Sequence, residues 1–238
     1  MGGGSAAGVG LELRIGMTEA MRIVPANQAA CGDLQAVFGA RGSAAICQCQ
    51  RYKLAPREAF KSYPAAERAR RLREQTHCGT ADMTTTSGLV AYLDGEPVGW
   101  CAVEPRPAYE GLLRVYRVPW EGRSEDKTDA SIWAVTCVFA RAGYRRRGIG
   151  YALARAAIDF ARERGARVLE AYPMLTQPGD DITWGELHMG TRSIFAAAGF
   201  EEVLRPTPRR VVMRVDFDAD NPSPTTSNRN TTRSTNVG

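Results

Sequence analysis

The stretch Val138-Phe-Ala-Arg-Ala-Gly-Tyr-Arg-Arg-Arg-Gly-Ile-Gly150 decides the fold of this 238-residue chain. It begins inside an apolar, β-rich run over residues 131–140, which is typical of a central strand. It ends where residues 148–164 carry apolar side chains at helical spacing, with Gly165 following as a C-terminal cap. The pattern therefore predicts a strand, a glycine-containing basic loop and an amphipathic helix in that order.

Within this stretch, Arg145-x-x-Gly148-x-Gly150 opens the helix. Glycines let a backbone approach a ligand closely. The first amides of a helix are unpaired, and the helix dipole favours an anion beside them. The consecutive residues Arg145, Arg146 and Arg147 add positive charge, so the loop predicts a phosphate or pyrophosphate site. The alternative is a tight turn with a solvated basic rim.

Two common nucleotide-binding loops do not match this sequence. A dinucleotide fingerprint needs a third glycine at the helix entry, where this chain has Leu153. A Walker loop needs Gly-Lys-Ser or Gly-Lys-Thr, which is absent from the chain. The phosphate ligand is therefore of another class.

The elements around this centre predict one mixed α/β domain. Asp94-Gly95 between two apolar runs is a strong hairpin signal. The sequence also predicts strands at 21–24, 168–172, 203–204 and 211–217, and helices at 28–38, 57–74 and 191–198. The domain is predicted over residues 21–217, with 1–20 as a flexible N-terminal extension and 218–238 as a polar, disordered tail.

The charge of the chain comes from arginine. Lys plus Arg is 31 and the net charge is +5, but lysine occurs only at 53, 61 and 127. Arginine is a bidentate phosphate binder, so nucleic acid or a small phosphorylated ligand would suit this surplus; a GC-rich genome would also produce it. Because part of the charge lies in one loop, nucleic acid is the less favoured partner.

The six cysteines contain no C-x-x-C pair. Their spacing, even with His77 beside Cys78, does not fit ordinary zinc fingers or ribbons, so no metal site is expected. We expect buried thiols in a reducing cytoplasm. The sequence shows no apolar segment long enough to span a membrane, and we expect no membrane partner.

The loop Arg145-Arg-Arg-Gly-Ile-Gly150 resembles the acetyl-CoA loop of the GNAT N-acetyltransferase superfamily. The similarity extends to the apolar run 132–139, the helix 148–164 and the stretch Ser193-Ile-Phe-Ala-Ala-Ala-Gly-Phe200. It covers about residues 20–217, and residues 88–200 are its specific part. The resemblance implies an α+β fold with a central mixed, largely antiparallel sheet of six or seven strands, flanked by helices on both faces.

The resemblance also implies acetyl-CoA as co-substrate, with its pantetheine arm along the strand 132–139. The Val138 amide would donate to the thioester oxygen as charge develops there. Ser193 would lie near the sulfur. The full expected binding set is Cys137, Val138, Phe139, Arg145, Arg146, Arg147, Gly148, Ile149, Gly150, Tyr151 and Ser193.

Direct transfer to an amine needs a base for the ammonium and protonation or stabilisation of the leaving thiolate. Glu170 and Tyr172 alternate onto one face of the strand 168–172, so Glu170 is a candidate base. The family often has a tyrosine where this chain has Phe195, and Tyr172 or Ser193 are possible substitutes. Glu104 is a weaker candidate, and His188, in the loop before the helix 191–198, could line the acceptor cleft or be a solvated loop histidine.

The activity implied is acetyl transfer to the amine of a small molecule or protein through a ternary complex, without a covalent enzyme intermediate. The alternative is a GNAT-like module that holds CoA but has lost its chemistry. Trp120 and Trp184 lie in loops that could line an acceptor pocket. The acceptor and the oligomeric state stay open, with a homodimer as one option.

Overall fold

The computed structural model describes residues 11–15, 19–177, 183 and 187–217. The strands are β1 Leu11–Ile15, β2 Glu19–Pro25, β3 Gly88–Leu93, β4 Glu96–Pro105, β5 Ile132–Ala140, β6 Val168–Ala171, β7 Glu201–Thr207 and β8 Arg210–Asp216. The helices are α1 Cys31–Phe38, α2 Gly42–Cys47, α3 Ala65–Thr76, α4 Glu110–Arg114, α5 Ile149–Glu163 and α6 Arg192–Ala198.

All eight strands form one sheet in the order β1-β2-β3-β4-β5-β6-β8-β7. Only the β5–β6 pair is parallel, and every other neighbouring pair is antiparallel. A parallel pair needs a crossover connection, and α5 supplies it. The predicted mixed, largely antiparallel sheet is therefore confirmed, with eight strands instead of six or seven.

The additional strand is β1, which lies inside the expected N-terminal extension. It pairs with β2 from Leu11 opposite Ile23 to Ile15 opposite Glu19. Part of the expected N-terminal extension, Leu11–Ile15, is therefore a strand of the sheet. Alternation of Leu11, Leu13 and Ile15 with polar residues was the available signal. The expected tail, residues 218–238, lies outside the described residues.

Helices cover both faces of the sheet, as predicted. On one face, Ala91 and Cys101 pack in the same core as the apolar side of α5, including Leu153. On the other, Tyr92 and Trp100 pack with residues of α1 and α3. Successive strand residues point to opposite faces, so β3 and β4 contribute to both cores and are buried almost throughout.

A β-bulge in β5 divides the part of the strand that pairs with β6 from the part that does not. Ala102 lies opposite Cys137, but Val103 lies opposite Val135, so Thr136 is the extra residue. Val135 and Val138 consequently share the α5 core, and Cys137 faces the other one. A bulge bends its strand, and here it occurs at the point where the pairing of β5 with β6 ends.

The β5–β6 ladder is short. It runs from Ile132 opposite Val168 to Val135 opposite Ala171, while β5 continues to Ala140. Pro173 follows soon after β6, and proline has no amide hydrogen to continue a ladder. Beyond the bulge, the edge of β5 that faced β6 therefore has no strand partner within the described part of the chain.

The basic helix predicted over residues 57–74 begins later, at Ala65, because Pro64 occupies its N-cap. Two of its arginines are engaged in ion pairs. Arg70 pairs with Glu67 and Glu74, and Arg71 pairs with Glu58 and Glu67. This surface is a set of ion pairs, consistent with the lower rank given to nucleic acid.

Cys31 and Cys78 form a disulfide that joins the first residue of α1 to the turn after α3. The expectation that all six cysteines are free thiols is wrong for this pair. A separation of 47 residues hides the pairing, because only the fold brings the two Cα atoms to 5.1 Å. Across the described residues, we find no helix with the length and apolarity needed to cross a membrane.

Replacing Gly88 with alanine tests the close contact between β3 and β4. A Cβ atom at this position would lie 2.1 Å from the carbonyl oxygen of Cys101, a backbone atom that cannot move without parting the strands. We expect Gly88→Ala to lower the free energy of unfolding by at least about 1–3 kcal/mol in urea denaturation.

Gly32→Ala, in α1, is the matched control, because a Cβ there meets no atom within 4 Å. The helix propensity of alanine should leave its stability equal or slightly higher. Equal losses in the two variants would contradict the contact.

Candidate functional site

A cleft opens where β5 separates from β6. Its volume is about 310 Å³. The residues that line it come from the end of β5, the basic loop and the segment before α6: Val138, Phe139, Ala140, Arg145, Arg146, Gly150, Leu187, His188, Gly190, Thr191 and Ile194. The cleft is therefore bounded by the strand, loop and helix predicted from the sequence.

The basic loop turns sharply into α5. Gly148 is the N-cap and has φ 76°, a left-handed conformation that glycine adopts without strain. Arg146 is also left-handed, with φ 63°. Arg145 and Arg146 line the cleft beside the helix N-terminus, whose first-turn amides have no intrahelical acceptors. Charge and amides together suit a pyrophosphate at this end.

Five members of the expected binding set line the cleft: Val138, Phe139, Arg145, Arg146 and Gly150. The others lie around it. Ile149 is buried in the core, and the side chain of Tyr151 is 47% exposed. Ser193 is exposed at the start of α6, where its hydroxyl lies 2.9 Å from that of Thr191. Arg147 stacks over the ring of Tyr144, with 5.4 Å from its guanidinium carbon to the ring centroid.

Cys137 points its thiol away from the cleft, into the core on the opposite face. A hydrogen bond with Cys49 and burial raise the pKa of this thiol well above its usual value. Only the main chain of Cys137 could therefore face a ligand.

The amide of Val138 is already engaged. It donates to the carbonyl oxygen of His188 over 2.8 Å. Gly190 follows closely: a Cβ atom there would lie 2.7 Å from Val138 Cγ1. The expectation that this amide is free is therefore wrong in this conformation, because residues 188–190 lie against the open edge of β5.

His188 is buried rather than solvated, with 6% of its surface exposed. Its ring stacks on Tyr52 at 5.7 Å between centroids, and Nε2 lies 3.2 Å from the Tyr52 hydroxyl. The Tyr52 hydroxyl in turn donates to Met189 Sδ over 3.0 Å. Sequence reasoning gave His188 a minor place and missed Tyr52. The apolar neighbours Leu187 and Met189 were the available signal of burial.

Glu170 has a different place from the one expected. It is fully buried, and its oxygens lie within 3.5 Å of guanidinium nitrogens of Arg106, Arg123 and Arg214. The Tyr172 hydroxyl donates to Oε2 over 2.9 Å. A carboxylate enclosed by these donors has no open oxygen for an ammonium proton. The structure thus contradicts Glu170 as the base, because its acceptor sites are filled by three arginines and the Tyr172 hydroxyl.

Tyr172 is also unsuited to proton transfer. It is almost fully buried, and burial followed by the charge of Glu170 raises the pKa of its phenol well above 10. Phe195 lies in the α5 core, with its ring 5.1 Å from that of Phe200, so its position does not reach the cleft wall. Glu104 pairs with Lys53, and the side chains of both are nearly buried.

The two tryptophans expected to line an acceptor pocket are Trp120 and Trp184. Trp120 is 8% exposed, and its indole nitrogen donates to the carbonyl oxygen of Leu112 over 3.0 Å. It lines a second cavity, which lies outside the cleft. Trp184 lies outside the described residues.

Replacing Glu170 with glutamine should destabilise the protein, because three guanidinium groups would lose the buried negative charge that they share. We expect Glu170→Gln to lower the free energy of unfolding by roughly 3–5 kcal/mol, measured by urea denaturation. Glu163→Gln, on the exposed end of α5, should change it by less than about 0.5 kcal/mol. A similarly small loss for Glu170→Gln would contradict its structural role.

Solved structures described as acetyltransferases are similar to this chain. The chain is similar to a ribosomal-protein-alanine N-acetyltransferase from Brucella melitensis, with 18% identity, a TM-score of 0.44, and coverage of 82% of this chain and 99% of that one. It is similar to a putative acetyltransferase from Salmonella typhimurium solved with acetyl-CoA, with 16% identity, a TM-score of 0.46, and coverage of 87% and 98%. The GNAT domain of S. lividans PAT gives 17% identity, a TM-score of 0.47, and coverage of 87% and 97%.

No curated protein matches the chain significantly in sequence. The family model described as the acetyltransferase (GNAT) family matches residues 51–179, which is more than half of the chain. This match contains β3, β4, β5 and α5, together with the basic loop that leads into the helix. The chain belongs to the GNAT acetyltransferase family.

Proposed function

We propose that this protein is an N-acetyltransferase that moves an acetyl group from acetyl-CoA directly to an amine within a ternary complex. The observation that carries the proposal is the cleft itself. It joins a helix terminus suited to an anion, at Arg145 and Arg146, to the part of β5 at Val138 that no longer pairs with β6. A long ligand with a pyrophosphate at one end and amide groups along its arm fits that sequence of features.

The phosphate end of acetyl-CoA would lie at the start of α5. Gly148 and Gly150 keep side chains away from the first turn, and amides of residues 146–151 would bind the pyrophosphate oxygens. Arg145 and Arg146 would add charge-assisted hydrogen bonds, which are stronger than neutral ones.

The pantetheine arm would pair with β5 beyond the bulge at Thr136. To reach the Val138 amide it must replace the carbonyl oxygen of His188. A carbonyl oxygen of the ligand would replace that of His188. The Val138 amide would keep a hydrogen bond, and residues 188–190 would shift. The Val138 amide would then donate to the thioester oxygen as that oxygen becomes negative.

His188 is our candidate for the proton acceptor. His188 is among the residues that line the cleft, and a neutral imidazole is a common general base. Because the Tyr52 hydroxyl donates to Met189 Sδ, it can accept a hydrogen bond from Nε2–H of His188, which orients the imidazole. His188 replaces Glu170 in this role.

The chemistry then balances as follows. The acceptor ammonium gives a proton to His188, and its nitrogen attacks the thioester carbon. The C–S bond breaks, and the nitrogen gives up its second proton as the amide forms, either to the leaving sulfur or to water when the sulfur leaves as thiolate. Since a thiol has a pKa near ~8.5, the thiolate needs little help from an acid. Phe195 is therefore compatible with turnover.

The alternative is a module of this family that binds CoA without transferring the acetyl group. Phe195 and the engaged Val138 amide favour it. Release of free thiol from acetyl-CoA in the presence of a panel of amines separates the two proposals. The cleft would admit acceptors from small amines to peptides. We place the protein in the cytoplasm, as a monomer or a dimer.

Removing one cleft arginine should weaken the binding of acetyl-CoA. We expect Arg145→Ala to raise the dissociation constant about tenfold or more in calorimetry, because a charge-assisted contact is worth about 1.5–3 kcal/mol. Arg155→Ala removes the same charge from the exposed side of α5 and should change it little. Wild-type protein that fails to bind acetyl-CoA at millimolar concentration would contradict the proposed function.

Replacing the imidazole of His188 should slow the reaction without preventing binding. We expect His188→Gln to lower kcat/KM about 100-fold near neutral pH, as for loss of a general base. The loss should shrink as pH rises, because the amine then deprotonates in solution. The main-chain carbonyl stays in the variant, so the effect isolates the side chain.

The second histidine, His77, provides the control. It ends α3 with φ 51°, which asparagine tolerates, so His77→Asn should keep both fold and rate. A folded His188→Gln protein with wild-type kcat/KM across the pH range would exclude the base role.

A further inference from the structure

A second cavity lies outside the cleft. It has a volume of about 370 Å³ and is built from the segment between β4 and β5. The residues used below are Arg114, Tyr116, Arg117, Trp120, Glu121 and Lys127. We call it the α4 groove, because Arg114 is the last residue of α4.

Three aromatic rings connect the α4 groove to the cleft. Tyr116 lines the groove, and its ring lies 4.5 Å from the ring of Tyr52 in an edge-to-face contact. The other side of Tyr52 stacks on His188, which lines the cleft. The groove therefore lies two ring contacts from the imidazole proposed to accept a proton, and the rings between them, Tyr52 and His188, are buried.

The groove carries an excess of positive charge. Arg117 pairs with Glu121, so these two charges cancel. Arg114 donates to the carbonyl oxygen of Leu54, and Lys127 lies over the ring of Trp120 at 5.1 Å. Among the described residues, neither Arg114 nor Lys127 forms an ion pair with a carboxylate. Two cations therefore face a groove whose single carboxylate, Glu121, is already matched.

The groove is held from below by buried groups. Arg106 is fully buried and its Nε donates to the carbonyl oxygen of Lys127 over 3.2 Å. Arg123 donates to the carbonyl oxygen of Pro119 over 3.0 Å. Both guanidinium groups also contact the Glu170 carboxylate. The positions of Trp120 and Lys127 are thus fixed by the fold rather than by a passing surface contact.

We infer that the α4 groove binds the acceptor, and that the acceptor is an amine whose far end carries a carboxylate. The inference rests on the proposed function. The carboxylate would lie between Arg114 and Lys127, an apolar spacer would cover the rings of Trp120 and Tyr116, and the amine would reach His188. A carboxylate has one oxygen for each of the two unpaired cations, and a phosphate in its place is an outcome that the experiment tests.

The experiment compares three matched series of amines with four to eight carbons: ω-amino carboxylates, their neutral amides, and aminoalkyl phosphates. Thiol release from acetyl-CoA gives kcat/KM, and calorimetry with CoA present gives binding of each amine. We expect kcat/KM for the best carboxylate to exceed that of its amide and its phosphate about tenfold or more.

Lys127→Gln and Arg114→Gln should each remove most of that preference and weaken binding of the carboxylate about tenfold. Their rates with the neutral amide and their affinity for acetyl-CoA should stay unchanged. Lys61→Gln, at an exposed position away from the groove, is the matched control and should behave as wild type.

The outcomes separate this inference from the proposed function. Protein that binds no acetyl-CoA overturns the proposed function. Protein that binds acetyl-CoA and acetylates amides as well as carboxylates overturns the inference alone. A preference for phosphates overturns the carboxylate assignment. If no amine is turned over, calorimetric binding of the carboxylate that depends on Lys127 still supports the groove, and its absence overturns it.

Discussion

The buried carboxylate of Glu170 is the group on which the long connection between β4 and β5 depends. A lone charge in the interior is very costly, so Glu170 requires cations around it. Arg106 and Arg123 reach it from the segment after β4, and Arg214 reaches it from β8. Arg214 and Arg123 also hold Glu125, whose pKa falls to about 2 although burial opposes its ionisation. One charge thereby fastens the long connection between β4 and β5 to the sheet.

The second constraint is the end of the β5–β6 ladder. A backbone amide that leaves a ladder must find another acceptor, and the Val138 amide finds the carbonyl oxygen of His188. The site is therefore satisfied without a ligand, and acetyl-CoA would compete with the chain itself. The bulge at Thr136 creates this situation by bending β5 where β6 stops. Affinity for acetyl-CoA would then reflect a difference between two similar hydrogen bonds, with the pyrophosphate contact deciding the balance.

Prediction from sequence succeeded where periodicity is local. The hairpin at Asp94-Gly95, the strand β5 and the helix α5 all have side chains whose spacing matches one kind of element. It failed for contacts between distant residues. Glu170 and Tyr172 lie on one face of a strand, which suggested an active-site carboxylate. The arginines that enclose Glu170 lie 64 and 47 residues before it and 44 after it. The Cys31–Cys78 pair was hidden for the same reason.

The sequence by itself determined the strand, the basic loop and the amphipathic helix around Gly148, because glycine conformation, helix-terminus amides and apolar spacing act over a few residues. It also determined the family through that loop. Only the tertiary structure decided which polar groups face the cleft. His188 and Tyr52 are 136 residues apart, and Val138 and His188 are joined through a main-chain bond that no side chain encodes. Such pairings depend on how the whole sheet closes, which no local pattern records.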